Sequence, residues 1–152
     1  VNAATLWTDG GAKGNPGPAA AGYVLQQEGA LIEAVGIFLG EPFTNNEAEY
    51  WALLLALHRA LQLGYTRLHV HTDSRLLAEQ VNGRWKVKTP RLRPFLMSLR
   101  MMRSTLPFEV QWVPREQNTL ADRLVRAALK HKRTVRYDPV EERILPVTRR
   151  GP

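Results

Sequence analysis

The sequence predicts an α/β domain with a five-stranded mixed sheet and helices on both of its faces. Three observations carry that expectation. Three short apolar runs near the N-terminus are separated by turn residues, as the strands of a meander are. Helical and extended patterns then alternate, giving the order β-β-β-α-β-α-α-β-α. The chain has 152 residues, 44% apolar and 23% charged, which is the size and balance of one soluble domain with a real core.

The elements follow in order. Residues 5–8 are mostly apolar and run into Asp9-Gly10-Gly11, a strand entering a turn. Residues 12–18 hold two Gly and two Pro and read as a loop. Residues 20–27 and 31–39 read as strands joined at Glu28-Gly29-Ala30. Residues 45–63 form the clearest helix, opening after the cap-type residues Thr44-Asn45-Asn46 and closing at Gly64. Residues 67–72 alternate as a strand. Residues 74–81 form a short helix ending near Asn82-Gly83. Thr89-Pro90 opens a helix to about Arg103, since Pro is tolerated in a first turn. Residues 108–113 are a strand and 118–132 the last helix. Residues 1–132 are expected to be the working domain. Residues 133–152 are expected to be a basic tail that packs on it through Tyr137, Val140, Ile144, Leu145 and Val147.

Composition narrows the function. No apolar run reaches the roughly 20 residues that span a membrane, and the start lacks the basic and apolar regions of a signal peptide. The sequence has no cysteine, which excludes disulfides, thiolate-held zinc and a thiol nucleophile and fits a reducing cytoplasm. The net charge is +7 and the pI about 10.2, a balance suited to a polyanion partner. A monomer is expected.

Four carboxylates stand at element ends: Asp9 after the first strand, Glu49 early in the long helix, Asp73 after the fourth strand and Asp122 early in the last helix. Strand ends and helix starts can bring such groups to one point. Carboxylates gathered without Cys or His suit Mg²⁺ or Mn²⁺, and paired ions of that kind serve phosphoryl transfer. Spacing alone leaves plainer roles open: a turn residue at 9, a dipole-suited charge at 49, an N-cap at 73 and a surface acid at 122. The Gly-rich loop after Asp9 lacks the Gly-Lys-Ser/Thr ending of a nucleotide cradle.

The local motifs add to this. Thr8-Asp9-Gly10-Gly11 with Gly14-Asn15-Pro16-Gly17-Pro18 resembles the opening of the type 1 ribonucleases H. Thr44-Asn45-Asn46-Glu47-Ala48-Glu49 is similar to that family's helix start, and Thr72-Asp73-Ser74 to its third motif. Val113-Pro114-Arg115-Glu116-Gln117-Asn118 with Ala121-Asp122 resembles its fourth. All four occur in order across residues 5–130.

The resemblance implies a ribonuclease H-like fold and a two-ion endonuclease that cuts the RNA strand of RNA–DNA hybrids. Products would carry a 5′-phosphate and a 3′-hydroxyl. Double-stranded RNA as a further substrate, or a catalytically weak nucleic-acid-binding domain, are the alternatives. Asp9 would bridge both ions, Asp122 would help hold the ion that activates water, and Glu49 and Asp73 would hold the other. Glu47 is the competitor to Glu49. Gly10, Gly11, Asn15, Asn45 and Asn46 match positions that read 2′-hydroxyls, because amide groups both donate and accept. Their plainer roles are turn formation and capping. Thr44 and Arg75, beside two of the motifs, join the expected substrate contacts.

The sequence departs from the family at two places. The basic insertion before the third helix is reduced to Asn82–Lys88, where Trp85, Lys86 and Lys88 are the expected contacts. The loop histidine is missing, and Arg115 stands in that loop as its expected replacement.

Overall fold

The computed structural model describes residues 2–148. Three strands, β1 (Ala3–Ala12), β2 (Gly17–Gln27) and β3 (Ala30–Phe43), form an antiparallel meander. On the other side of β1, β4 (Arg67–Thr72) pairs parallel to it, and β5 (Phe108–Trp112) pairs parallel to β4. The helices are α1 (Asn45–Gln62), α2 (Arg75–Val81), α3 (Arg93–Thr105) and α4 (Thr119–His131).

The sheet has seven strands, not five, in the order β5-β4-β1-β2-β3-β6-β7. The extra pair, β6 (Val135–Asp138) and β7 (Arg143–Pro146), comes from the segment read as a tail. Each is only four residues long and broken by charge or Pro, too short for alternation to show. Pairing with β3 at Val35↔Arg136 and Gly36↔Val135 makes them strands. Val135 is fully buried, and Tyr137 and Ile144 pack with it on the α4 core. Arg136 reaches back to the Glu33 carboxylate at 3.1 Å. Val140, expected to pack, is 90% exposed, because it lies in the turn between the two strands and faces neither layer.

Alternation along the meander sends one set of side chains to each face. On one face α1, α2 and α3 close over Leu6, Leu25, Leu53, Leu57, Val70 and Leu99. On the other α4 closes over Ala20, Val24, Ala34, Leu124 and Val125. Small strand residues set how near α4 lies: a Cβ at Gly36 would meet the Leu124 carbonyl oxygen at 2.4 Å.

Two further expectations change. The loop expected over residues 12–18 contracts, because β1 runs through Asp9 to Ala12 and β2 begins at Gly17. The helix expected from Pro90 starts as a 3₁₀ turn, Pro90–Leu92, and becomes α-helical at Arg93. Pro94 has no N–H for the Pro90 carbonyl, so an α-helix cannot run through both. No helix among the described residues is long and apolar enough to cross a membrane.

The β6–β7 hairpin contributes buried apolar surface and an ion pair to the sheet edge. Deleting residues 134–152 should lower the melting temperature by roughly 5–10 °C, taking about 2–4 °C per kcal/mol for this size. Thermal unfolding of the truncated and intact chains tests this. Equal midpoints would mean that the hairpin adds no stability.

Candidate active site

The parallel pairing of β1 and β4 ends at the rung Thr8↔Thr72, both of them buried. The next residue on each strand is an acid. Asp9 leaves β4 but stays paired to Gly22 of β2, so it lies within β1 and not after it. Asp73 follows β4 directly. The N-cap of α2 is Ser74, whose side chain accepts from Leu77 N–H, and this removes the capping role considered for Asp73. Two carboxylates therefore stand side by side at the carboxyl ends of adjacent parallel strands.

The third arrives on α1. Thr44 caps that helix by accepting from Glu47 N–H at 3.1 Å, and the Glu47 carboxylate returns to Thr44 N–H at 3.0 Å. Glu47 is thus committed to the cap, and it also faces Arg91 at 3.9 Å. Glu49, two residues on, turns toward the strands. Gly10 lets it come close, since a Cβ there would lie 2.3 Å from the Ala48 carbonyl and 2.5 Å from Glu49 N. One oxygen each from Asp9, Glu49 and Asp73 lies within 4.8 Å of the others.

Asp122, in the first turn of α4, lines the same cavity of about 460 Å³ from its rim. Arg126, one turn along, pairs with it at 3.1 Å. Arg115 lines the cavity too, from a 3₁₀ turn before α4. So do Gly10, Gly11, Asn45 and Asn46; no histidine does.

The electrostatics follow from this crowding. Burial, with Asp73 and Asp122 nearby, pushes Asp9 up to about 8. Burial, with the Asp9 and Asp73 charges nearby, holds Glu49 well above the usual carboxylate range. Asp73 is raised chiefly by burial, with the Arg115 charge pulling the other way. Glu49 Oε1 is buried and has no hydrogen-bond partner among the described residues. An orphaned carboxylate oxygen beside two other carboxylates fits a hard divalent cation, which would supply the missing partner.

The remaining expected residues separate into two groups. Asn45 and Asn15 have structural tasks: Asn45 Oδ1 accepts from Ala12 N–H at 2.7 Å, and Asn15 Oδ1 accepts from Asn45 N–H at 3.0 Å. Together they fasten the glycine loop to the start of α1. Asn15 and Thr44 do not line the cavity. Arg75, Trp85, Lys86 and Lys88 also lie outside it. Arg75 covers the Trp112 ring at 5.2 Å, and the other three are exposed on the connector after α2.

Sequence reasoning missed three residues. Asn118 is buried, donates from Nδ2 to the Thr8 carbonyl at 2.8 Å, and stands close enough to Asp73 to favour its charged form. Trp112 Nε1 donates to the Asp73 carbonyl at 3.3 Å. Arg126 was open to detection, because a base four residues after an acid on a helix faces it.

Fold and site together define a ribonuclease H-like domain with an oxygen-donor cation cluster. A family model described as "Reverse transcriptase-like" matches residues 7–128. The bifunctional protein Rv2228c of Mycobacterium tuberculosis is 40% identical over 124 residues, covering 80% of this chain and 34% of that protein. The chain thus spans about a third of the length of the mycobacterial relatives it matches. Among solved structures, the RNase H1 of Halobacterium salinarum superposes with a TM-score of 0.82 at 35% identity, covering 86% of this chain and 99% of that one. LC11-RNase H1, solved in complex with an RNA/DNA hybrid, gives 0.81 at 34%, covering 85% and 98%. The chain belongs to the type 1 ribonuclease H family.

Asp9 binds its proton more tightly in the folded chain than in the unfolded one, where its value is the ordinary 3.8. Metal-free folded protein therefore loses stability as pH rises from about 4 through about 8. Asp9→Asn removes the repelling charge. It should raise the melting temperature in EDTA at pH 8 by at least a few degrees, about 2–4 °C per kcal/mol, and flatten the decline with pH. Scans between pH 5 and 8 check both, and an unchanged or lower midpoint at pH 8 contradicts the assignment.

Proposed function

We propose that this chain is a divalent-metal-dependent endonuclease that hydrolyses the RNA strand of RNA–DNA hybrids, leaving a 5′-phosphate and a 3′-hydroxyl. The carrying observation is the Asp9, Glu49 and Asp73 cluster, with Asp122 at its rim. Support also comes from LC11-RNase H1, a relative solved with such a hybrid. In this reading Asp9 would help hold both ions, Glu49 and Asp73 one of them and Asp122 the other; Mg²⁺ or Mn²⁺ suits these donors. When bound, the ions would stabilise charge on the attacking and the leaving oxygen.

The chain's own groups do the rest. Gly10 and Gly11 allow the RNA backbone to approach. Asn46 presents an amide group suited to a 2′-hydroxyl on the same cavity wall as Asn45, whose Oδ1 is taken by Ala12 N–H and whose Nδ2 is left to donate. Arg115 holds a permanent charge beside the carboxylates, suited to the scissile phosphate or to the departing end. The net charge of +7 draws the polyanion in. One copy supplies all four carboxylates, so a monomer is a sufficient working unit.

Labelled hybrid, RNA–RNA and DNA–DNA duplexes, each with Mg²⁺, Mn²⁺ or EDTA, test the reading. Hybrid should be cut with either metal and left whole in EDTA; undiminished cutting in EDTA overturns the mechanism. Asp9→Asn, Glu49→Gln and Asp73→Asn should each remove nearly all turnover while hybrid binding persists. Glu47→Gln should instead keep turnover largely intact and cost only about 0.5 kcal/mol of stability, since the Gln amide oxygen still accepts from Thr44 N–H and only the charge is lost. Loss of turnover in Glu47→Gln but not in Glu49→Gln would reverse the two assignments.

Arg115→Ala separates chemistry from binding. It should lower kcat much more than it raises KM, with the affinity for uncut hybrid nearly unchanged. Steady-state kinetics beside equilibrium binding measures this, and an unaltered kcat would leave Arg115 a loop residue only.

A further inference from the structure

One rung of the sheet joins Gly11 of β1, Ala20 of β2 and Phe38 of β3. All three face α4. A Cβ at Gly11 would lie 3.5 Å from Val125 Cγ1, Ala20 belongs to the α4 core, and Phe38 shares a cavity with His131 at the helix end. Gly11 lines the acidic cavity. Phe38 is a wall of a second one, about 600 Å³, completed by His131, Lys132, Arg133, Thr134 and Val147. Two strand spacings separate these rung positions, about 10 Å. The last turns of α4 run between the cavities: Arg126 and Leu129 line the first, His131 and Lys132 the second.

The second cavity is cationic and shaped. Its lining holds Lys132, Arg133, a histidine and a hydroxyl, and no carboxylate. Lys132 adopts a left-handed conformation, φ 51°, which turns the chain sharply out of α4. Arg133 then donates to the Val147 carbonyl at 2.8 Å, and Val147 N–H donates to the Thr134 carbonyl at 2.9 Å. The returning hairpin thus forms a wall. Arg133 is partly engaged in holding that wall. Among the described residues, Lys132 has no carboxylate within ion-pair distance.

We infer that this cavity is a second phosphate subsite, which takes a backbone phosphodiester of the nucleic acid that the acidic cavity cuts. The inference rests on the function proposed above and extends it. A cationic hollow with a hydroxyl on one side and a flat apolar ring on the other matches a phosphate with its attached sugar. Lys132 supplies the point charge. The walls of the two cavities stand about 10 Å apart on the rung, so the bound phosphate lies within a few nucleotides of the scissile one. The subsite fixes register along the duplex and takes no part in the chemistry.

Lys132→Asn in the full chain is the test, since Asn tolerates the left-handed backbone. Binding of an uncut hybrid of about 18 base pairs, measured in EDTA by fluorescence anisotropy across a salt series, should weaken roughly three- to tenfold, with the salt slope reduced by about one. The kcat with Mg²⁺ at saturating hybrid should not change. Lys132→Arg, which keeps the charge, should bind like the parent; equal loss there would trace the effect to the backbone and overturn the subsite. A scan of single neutral methylphosphonates in each strand locates the contact. The parent should lose affinity at one position within a few nucleotides of the cut, and Lys132→Asn should be indifferent there. Sensitivity to added inorganic phosphate with no sensitive position in the scan would make this a free-anion site and overturn the proposal. If the parent cuts hybrid but Lys132→Asn keeps its affinity and salt slope, the subsite alone fails. If the parent does not cut hybrid yet Lys132→Asn weakens its binding at the same phosphate, the subsite stands and the nuclease reading falls.

Discussion

The close approach of α1 to the end of β1 at Gly10 is the contact on which the site depends. Any side chain at that position would drive into the Ala48 carbonyl and force the helix outward. With hydrogen there, the capped start of α1 settles against the strand and Glu49 meets Asp9 and Asp73. The cap sets the rotation of the helix: Glu47 points back to Thr44, and Glu49 consequently points to the strand ends. Asn45 and Asn15 tie the neighbouring loop to the same helix start, which fixes the entrance to the cavity.

That contact has an electrostatic cost. Three acids in one small volume cannot all be charged without a counterion, and the raised proton affinities of Asp9, Glu49 and Asp73 express this. The fold holds the arrangement in place from outside. Asn118 fastens the start of α4 to the Thr8 carbonyl, and Trp112 holds the Asp73 backbone. Arg126 pairs with Asp122, and the Arg115 charge acts on Asp9, Glu49 and Asp73, which offsets part of the crowding and leaves the rest to protons or cations.

Much of this was legible in the sequence where local chemistry decides structure. The cap residues before α1 and Gly64 after it bracket that helix, and alternation marks β4. Long-range pairing decided what was missed. Asp9, Gly10 and Gly11 are poor strand formers, yet β2 pairs with each of them and carries β1 through to Ala12. β6 and β7 exist only because β3 offers an edge. At the site, the ordered motifs marked the four carboxylates, whereas the substrate contacts expected near Trp85 fall outside the cavity. The sequence marks Asn118 as the end of the fourth motif and as a helix opening, but not as a tie to β1, because its partner Thr8 lies 110 residues away in sequence.

The hairpin that completes the sheet also changes what the molecule presents to other chains. β3 is 14 residues long, and without β6 its outer side would offer unpaired N–H and C=O groups along a long, largely apolar strand. With the hairpin in place, the outermost strand is β7, four residues long, opening with Arg143 and closing with Pro146. A proline cannot donate to an incoming strand, and a short charged edge gives little purchase for one. Around Val35 and Gly36, where it pairs with β3, the hairpin thereby guards the sheet against edge-to-edge aggregation.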